Sequence, residues 1–148
     1  MNARKILAFD YGTKFIGVAV GSTYSGLAQG LTTLQITGPT PDWRQISGLL
    51  DEWEPEALVV GLPLNMDGTD TPLTKLAKKF GNTLKDRYNL PVHMVDERLS
   101  TVTARNTLTE AGISLKRSNK SRIDMLAAET ILQGFLDEHS GTGHESTN

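Results

Sequence analysis

Lys5–Gly21 reads KILAFDYGTKFIGVAVG, two apolar runs joined by Asp10-Tyr11-Gly12-Thr13-Lys14, and this stretch decides the fold. Each run has strand length and strand composition, and the polar link carries the Asp and Gly of a tight turn. Lys5–Asp10 is therefore predicted as a first strand and Phe15–Gly21 as a second, paired as a hairpin. Gly26–Leu34 is a weaker third strand. The chain thus opens as an antiparallel meander.

The pattern then changes. After the breaker-rich Thr37-Gly38-Pro39-Thr40-Pro41, an apolar stripe of Trp43, Ile46, Leu49, Leu50 and Trp53 predicts a helix, with Thr40 as N-cap and Pro41 in its first turn. Ala57–Gly61 is a short buried strand, and Leu62–Asp70 is a loop. Thr71-Pro72 begins a second helix marked by Leu73, Leu76, Ala77, Phe80 and Leu84. Pro91–Asp96 is a fifth strand. Ser100 caps a predicted third helix carrying Ala104, Leu108 and Ala111; Gly112–Asn119 is a loop, and residues 120–136 form the last helix. The order βββαβαβαα predicts an α/β fold, a mixed five-stranded sheet flanked by helices on both faces. One domain over residues 1–138 is expected, followed by a disordered tail, 139–148.

Composition narrows the function classes. The 148 residues, 38% of them hydrophobic, suffice for one ordinary core. No run approaches a membrane span and none at the start resembles a secretory segment, so a cytoplasmic protein is expected. The absence of cysteine excludes disulfides and thiolate metal sites. Residues 137–148 hold three acids and no Lys or Arg, leaving 14 of the 17 acids against all 15 basic residues in 1–136. The formal charge of −2 therefore says little about partners.

Asp124 sits where an apolar residue belongs. On a helix over 120–136 it shares a face with Ala127, Ala128, Ile131 and Phe135. A buried carboxylate is costly unless protonated, paired or bound to a cation. Asp10 and Glu97 each close an apolar strand-like run. Three carboxylates on three elements, with no histidine or cysteine near them, point to a hard cation, Mg²⁺ or Mn²⁺ rather than zinc. For Asp10 and Glu97 to meet, the first and fourth strands must be neighbours with the fifth next, placing the acids at carboxyl ends. Alternation puts Asp96 with Val92 and Met94, and Glu97 with His93 and Val95; pattern alone leaves open which face meets the site.

Four blocks resemble one family in order. They are Asp10-Tyr11-Gly12-Thr13-Lys14-Phe15-Ile16-Gly17-Val18-Ala19, Gly61-Leu62-Pro63-Leu64-Asn65-Met66-Asp67-Gly68, Asp96-Glu97-Arg98-Leu99-Ser100-Thr101, and Asp124 with Ala127-Ala128 and Ile131-Leu132. Together, over residues 5–136, they resemble the YqgF/RuvX proteins. The resemblance implies an RNase H-like fold related to Holliday junction resolvases. It also implies a nuclease acting on the 5′ end of pre-16S rRNA, with pre-rRNA or the pre-ribosome as partner. The acids it matches as catalytic metal ligands are Asp10, Glu97 and Asp124, which favours Glu97 over Asp96. Two ions about 3.5–4 Å apart would serve an in-line attack on a phosphodiester.

Each residue also has a plainer reading. Asp10 is turn chemistry, Glu97 an ion pair with Arg98 or Arg105, and Asp124 a salt bridge to Lys120 or Arg122. Asp67 is a turn former. Lys14 and Asn65 are candidate phosphate contacts. Lys116, Arg117, Lys120 and Arg122 are either a solvated face or a basic approach for nucleic acid. No aromatic platform for single-stranded RNA is visible in the sequence. Three rivals remain: a resolvase of branched DNA, an actin-like kinase built on Asp-x-Gly-Thr, and a non-catalytic ribosome-assembly factor. The kinase needs two such domains, more than this length holds.

Overall fold

The computed structural model describes residues 4–38, 40–97 and 117–138, with side chains in the last of these from Met125 onward. Its strands are β1 (Lys5–Tyr11), β2 (Phe15–Ser22), β3 (Leu27–Gln35), β4 (Ala57–Leu62) and β5 (Val92–Asp96). Its helices are α1 (Trp43–Trp53), α2 (Pro72–Tyr88) and α3 (Arg117–Leu136). The predicted helix from Ser100 and residues 112–116 lie outside the described residues, as does the tail from 139.

The five strands form one sheet in the order β3-β2-β1-β4-β5. β1, β2 and β3 run antiparallel, whereas β4 is parallel to β1 and β5 to β4. The expected neighbours, first strand beside fourth and fifth next, are those observed. The reason is connection length. The short turns of the meander allow only antiparallel pairing, while α1 and α2 supply the crossovers that parallel strands require.

Alternation along the strands divides the core in two. Leu7, Phe9, Ile16, Val18, Leu58 and Val60 face one way and pack on Ile46 and Leu50 of α1 and Ala77, Phe80 and Leu84 of α2. Ile6, Ala8, Ala19, Ala57 and Val59 face the other way and pack on Ala128, Ile131, Leu132, Phe135 and Leu136 of α3. The α3 side of the sheet is thus rich in small residues, so the helix lies close. A Cβ on Gly30 would sit 2.8 Å from Met125 Cγ. The Gly30 amide donates to Glu129 Oε1 at 2.7 Å, and the Ala28 amide to Gln133 Oε1 at 2.9 Å, which ties α3 to β3.

Two helix starts differ from expectation. Asp42, not Thr40, caps α1: its carboxylate accepts from the Arg44 amide at 3.0 Å, leaving Pro41 before the helix. α3 is already helical at Arg117, the first described residue of this segment, and so reaches further toward the N-terminus than Lys120. α2 starts as expected, with Thr71 and Thr74 forming a capping box and Pro72 in the first turn.

Candidate active site

Asp10 is the sixth residue of β1. Across the sheet it pairs with Gly17 of β2 and Gly61 of β4. By alternation it shares a face with Ile6 and Ala8, the face that α3 covers. The strand runs on to Tyr11, so Asp10 lies within the ladder and its backbone is held on both sides. The turn beyond it is closed by the Gly12 amide donating to Phe15 O at 2.9 Å.

Glu97 follows the last residue of β5, and its amide donates to Leu62 O at 3.1 Å, which continues the β4–β5 ladder. Its face, open in the sequence, is decided by its neighbours. Val95 packs into the α3-side core, and the His93 ring lies 5.1 Å from that of Phe135 on α3. Val92 packs on the opposite side, and Asp96 is exposed. Glu97 therefore turns toward α3, and only 2% of it is exposed.

Gly61 makes the arrangement possible. A Cβ there would lie 2.5 Å from Glu97 Oε2 and 2.6 Å from Ile131 Cδ1. The Glu97 carboxylate thus rests on the bare backbone of Gly61, with Ile131 of α3 beside it. Gly61 is also the residue in register with Asp10, one strand spacing of about 4.8 Å away. Asp10 and Glu97 accordingly stand on one face, near the carboxyl ends of parallel strands, with Glu97 two residues beyond the level of Gly61 and its carboxylate reaching back to it. The sequence reading missed Gly61, although a glycine closing an apolar strand is a signal of close approach.

Asp124 lies on α3, seven residues before Ile131, two turns or about 10 Å along the axis. Ala127, Ala128, Ile131 and Phe135, expected to share its face, are all buried. The Asp124 side chain is outside the described residues, so among the described residues there is no group of three acids able to hold a metal ion. The donor set that is described nevertheless fits a hard cation. It consists of carboxylate oxygens, and the Gly61 cradle fixes one of them.

Among the basic candidates, Lys14 is exposed on the β1–β2 turn, and its carbonyl accepts from the Ile36 amide at 2.7 Å. It lies at the same end of the sheet as Asp10. Arg117, Lys120 and Arg122 belong to the first turns of α3, with side chains outside the described residues, as Lys116 is entirely.

The loop after β4 folds on itself. The Asn65 amide group donates to Thr69 Oγ1 at 2.9 Å, and Asp67 accepts from the Thr69 amide at 3.0 Å and its hydroxyl at 2.7 Å. Asp67 thus acts as a turn former. Thr71 and Thr74 both donate to Pro63 O and clamp the loop to the start of α2. Asn65 remains exposed at the loop surface.

Residues 4–138 match the family model described as RuvX: Holliday junction resolvase. The chain belongs to this family. A relative from Actinobacillus pleuropneumoniae serotype 7 (strain AP76) is 50% identical over 91% of the chain and 98% of its own length. Another, from Yersinia pestis (strain Pestoides F), is 48% identical over 95% of the chain and 100% of its own length. Both are named "Putative pre-16S rRNA nuclease". Among solved structures, the yeast mitochondrial Holliday junction resolvase Ydc2 matches with a TM-score of 0.58 at 11% identity, covering 94% of this chain and 80% of that one. That likeness establishes the RNase H-like architecture of the sheet.

Proposed function

We propose that the protein is a metal-dependent nuclease that hydrolyses phosphodiester bonds at the 5′ end of pre-16S rRNA during ribosome maturation in the cytoplasm. The observation that supports this reading is the Glu97 carboxylate resting on Gly61, the β4 residue in register with Asp10. Two carboxylates, one within β1 and one directly after β5, suit Mg²⁺ or Mn²⁺. The names of the half-identical relatives support the rRNA substrate.

In this reading Asp10, Glu97 and Asp124 hold the ions within one domain spanning residues 1–138. When bound, a pair of such ions supplies an activated water and stabilises charge on the leaving 3′ oxygen. Asp10 is oriented by ladders on both sides and Glu97 by the Leu62 carbonyl and the Gly61 surface, so neither has to be reorganised when substrate arrives. Lys14 stands at the scissile phosphate. Asn65 and the group Lys116, Arg117, Lys120 and Arg122 receive the flanking backbone.

The family description favours a second reading, resolution of branched DNA. Incubating the protein with Mn²⁺ and either a pre-16S 5′ leader or a four-way junction separates the two. The first reading expects a cut leader, an intact junction and loss of cutting in EDTA. A cut junction with an intact leader would replace it by the second. Ion binding at the acids with neither substrate cut would leave an assembly factor without catalysis. None of the described helices is long and apolar enough to cross a membrane.

A further inference from the structure

Tyr11, the residue after Asp10, leaves β1 on the opposite face of the sheet and opens a second site. Its ring centre is 4.9 Å from that of Phe80 on α2, and Phe80 stacks on Trp43 of α1 at 5.6 Å and 25°. The Arg87 guanidinium covers Trp43 at 4.6 Å, which holds this wall in place. The three aromatic rings, with Leu76, Lys79 and Thr83, line a partly open cavity of about 170 Å³. The sequence showed no aromatic platform because residues 11, 43 and 80 come from three separate elements. The fold brings the three together, with Phe80 itself buried.

We propose that this cavity receives a single pyrimidine base of the substrate strand, next to the phosphate addressed by Asp10 and Glu97. The proposal rests on the nuclease reading for its strand, but not for its binding chemistry.

Size argues for one ring. An apolar cavity of about 150 Å³ accepts benzene, whereas sites for larger ligands run to roughly 300 Å³ and more. Aromatic walls are what unpaired bases stack on. The polar groups suit a base edge and a phosphate. The Thr83 hydroxyl donates to Lys79 O at 2.9 Å, so its lone pairs remain acceptors for a base N–H. The Tyr11 hydroxyl, on the cavity wall, can donate to a base carbonyl. Lys79 is exposed at the rim, where a phosphate would lie. Since Asp10 and Tyr11 are consecutive, a strand crossing the end of β1 sets a phosphate on one face and its neighbouring base on the other.

The test reads binding, not cleavage. In a Trp53→Phe background Trp43 is the sole tryptophan. Its emission is followed in EDTA during titration with 5′-UMP, 5′-AMP, uridine and inorganic phosphate. Saturable change with 5′-UMP, binding of 5′-AMP at least about tenfold weaker, and no response to phosphate are expected. Leu76, 44% exposed, is then enlarged to fill the cavity. Leu76→Phe should weaken 5′-UMP between about 5-fold and about 150-fold, the range of one lost base stack. Circular dichroism confirms that this variant folds. Lys79→Ala, at an exposed position, should weaken 5′-UMP while leaving uridine unchanged. No saturable response to 5′-UMP, equal affinity for 5′-AMP, or undiminished binding by folded Leu76→Phe would overturn the proposal and leave a packing gap filled by water. An uncut leader alongside positive titrations would instead count against the nuclease reading alone.

Discussion

Gly61→Ala adds one methyl group at the point where β4, Glu97 and α3 meet. Its carbon would lie 2.5 Å from Glu97 Oε2 and 2.6 Å from Ile131 Cδ1, where an ordinary contact begins at 3.4 Å. The carboxylate must therefore retreat by about 0.9 Å, and a displacement of about 1 Å at a catalytic group costs on the order of 100-fold in rate. Overpacking adds about 1–3 kcal/mol of destabilisation, offset in part by the roughly 0.4–1 kcal/mol gained when alanine restricts the unfolded chain. The expected variant melts a few degrees lower and cleaves a pre-16S leader about 100-fold more slowly in single turnover with Mn²⁺. Adding Ile131→Val relieves the contact on the helix side. It should recover stability but not rate, since the Glu97 clash remains. Cleavage by Gly61→Ala within about twofold of the parent, with Glu97→Gln inactive, would refute the claim that the Gly61 surface positions this acid.

Further outcomes follow from the same site. Asp10→Asn, Glu97→Gln and Asp124→Asn should each abolish cleavage while the ion-free protein stays folded or becomes more stable, because removing one charge relieves repulsion among like charges. Melting curves and cleavage assays check both halves, and a variant with near-parental cleavage leaves the site. Mg²⁺ or Mn²⁺ should support cleavage and Ca²⁺ should not, despite binding, because its looser coordination positions the reacting oxygens poorly. Strong cutting in EDTA would end the metal mechanism. Lys116→Ala with Arg117→Ala should weaken RNA binding across sequences and flatten its salt dependence by about one unit of slope per lost phosphate contact. Lys14→Ala should instead lower the single-turnover rate with little effect on affinity, as a charge acting mainly in the transition state does. Unchanged affinity and slope in the double variant would make that basic run a solvated face.

How much of this was legible before the fold was seen follows the range of the interactions involved. The β1–β2 hairpin, the α2 start at Thr71-Pro72 and the buried stripe Ala127, Ala128, Ile131 and Phe135 are set by neighbours within a few residues, so turn chemistry and periodicity revealed them. The placement of β1 beside β4, with β5 next, came from requiring two acids to share a cation, and the sheet order agrees. The cap of α1 is Asp42 rather than the expected Thr40; both are good caps, and only the bond from the Arg44 amide distinguishes them. The orientation of Glu97 was beyond any local pattern. β5 is an edge strand with weak contrast between its faces, so the packing of His93 and Val95 beneath α3 decided it. Gly61 under Glu97 and the ring cluster of Tyr11, Trp43 and Phe80 depend on residues from separate elements. Sequence by itself determined which elements form and which acids need partners, because those are local costs of burial and backbone shape. Tertiary structure alone decided which side chains touch, because contact across strands is set by register and by the helix that closes over them.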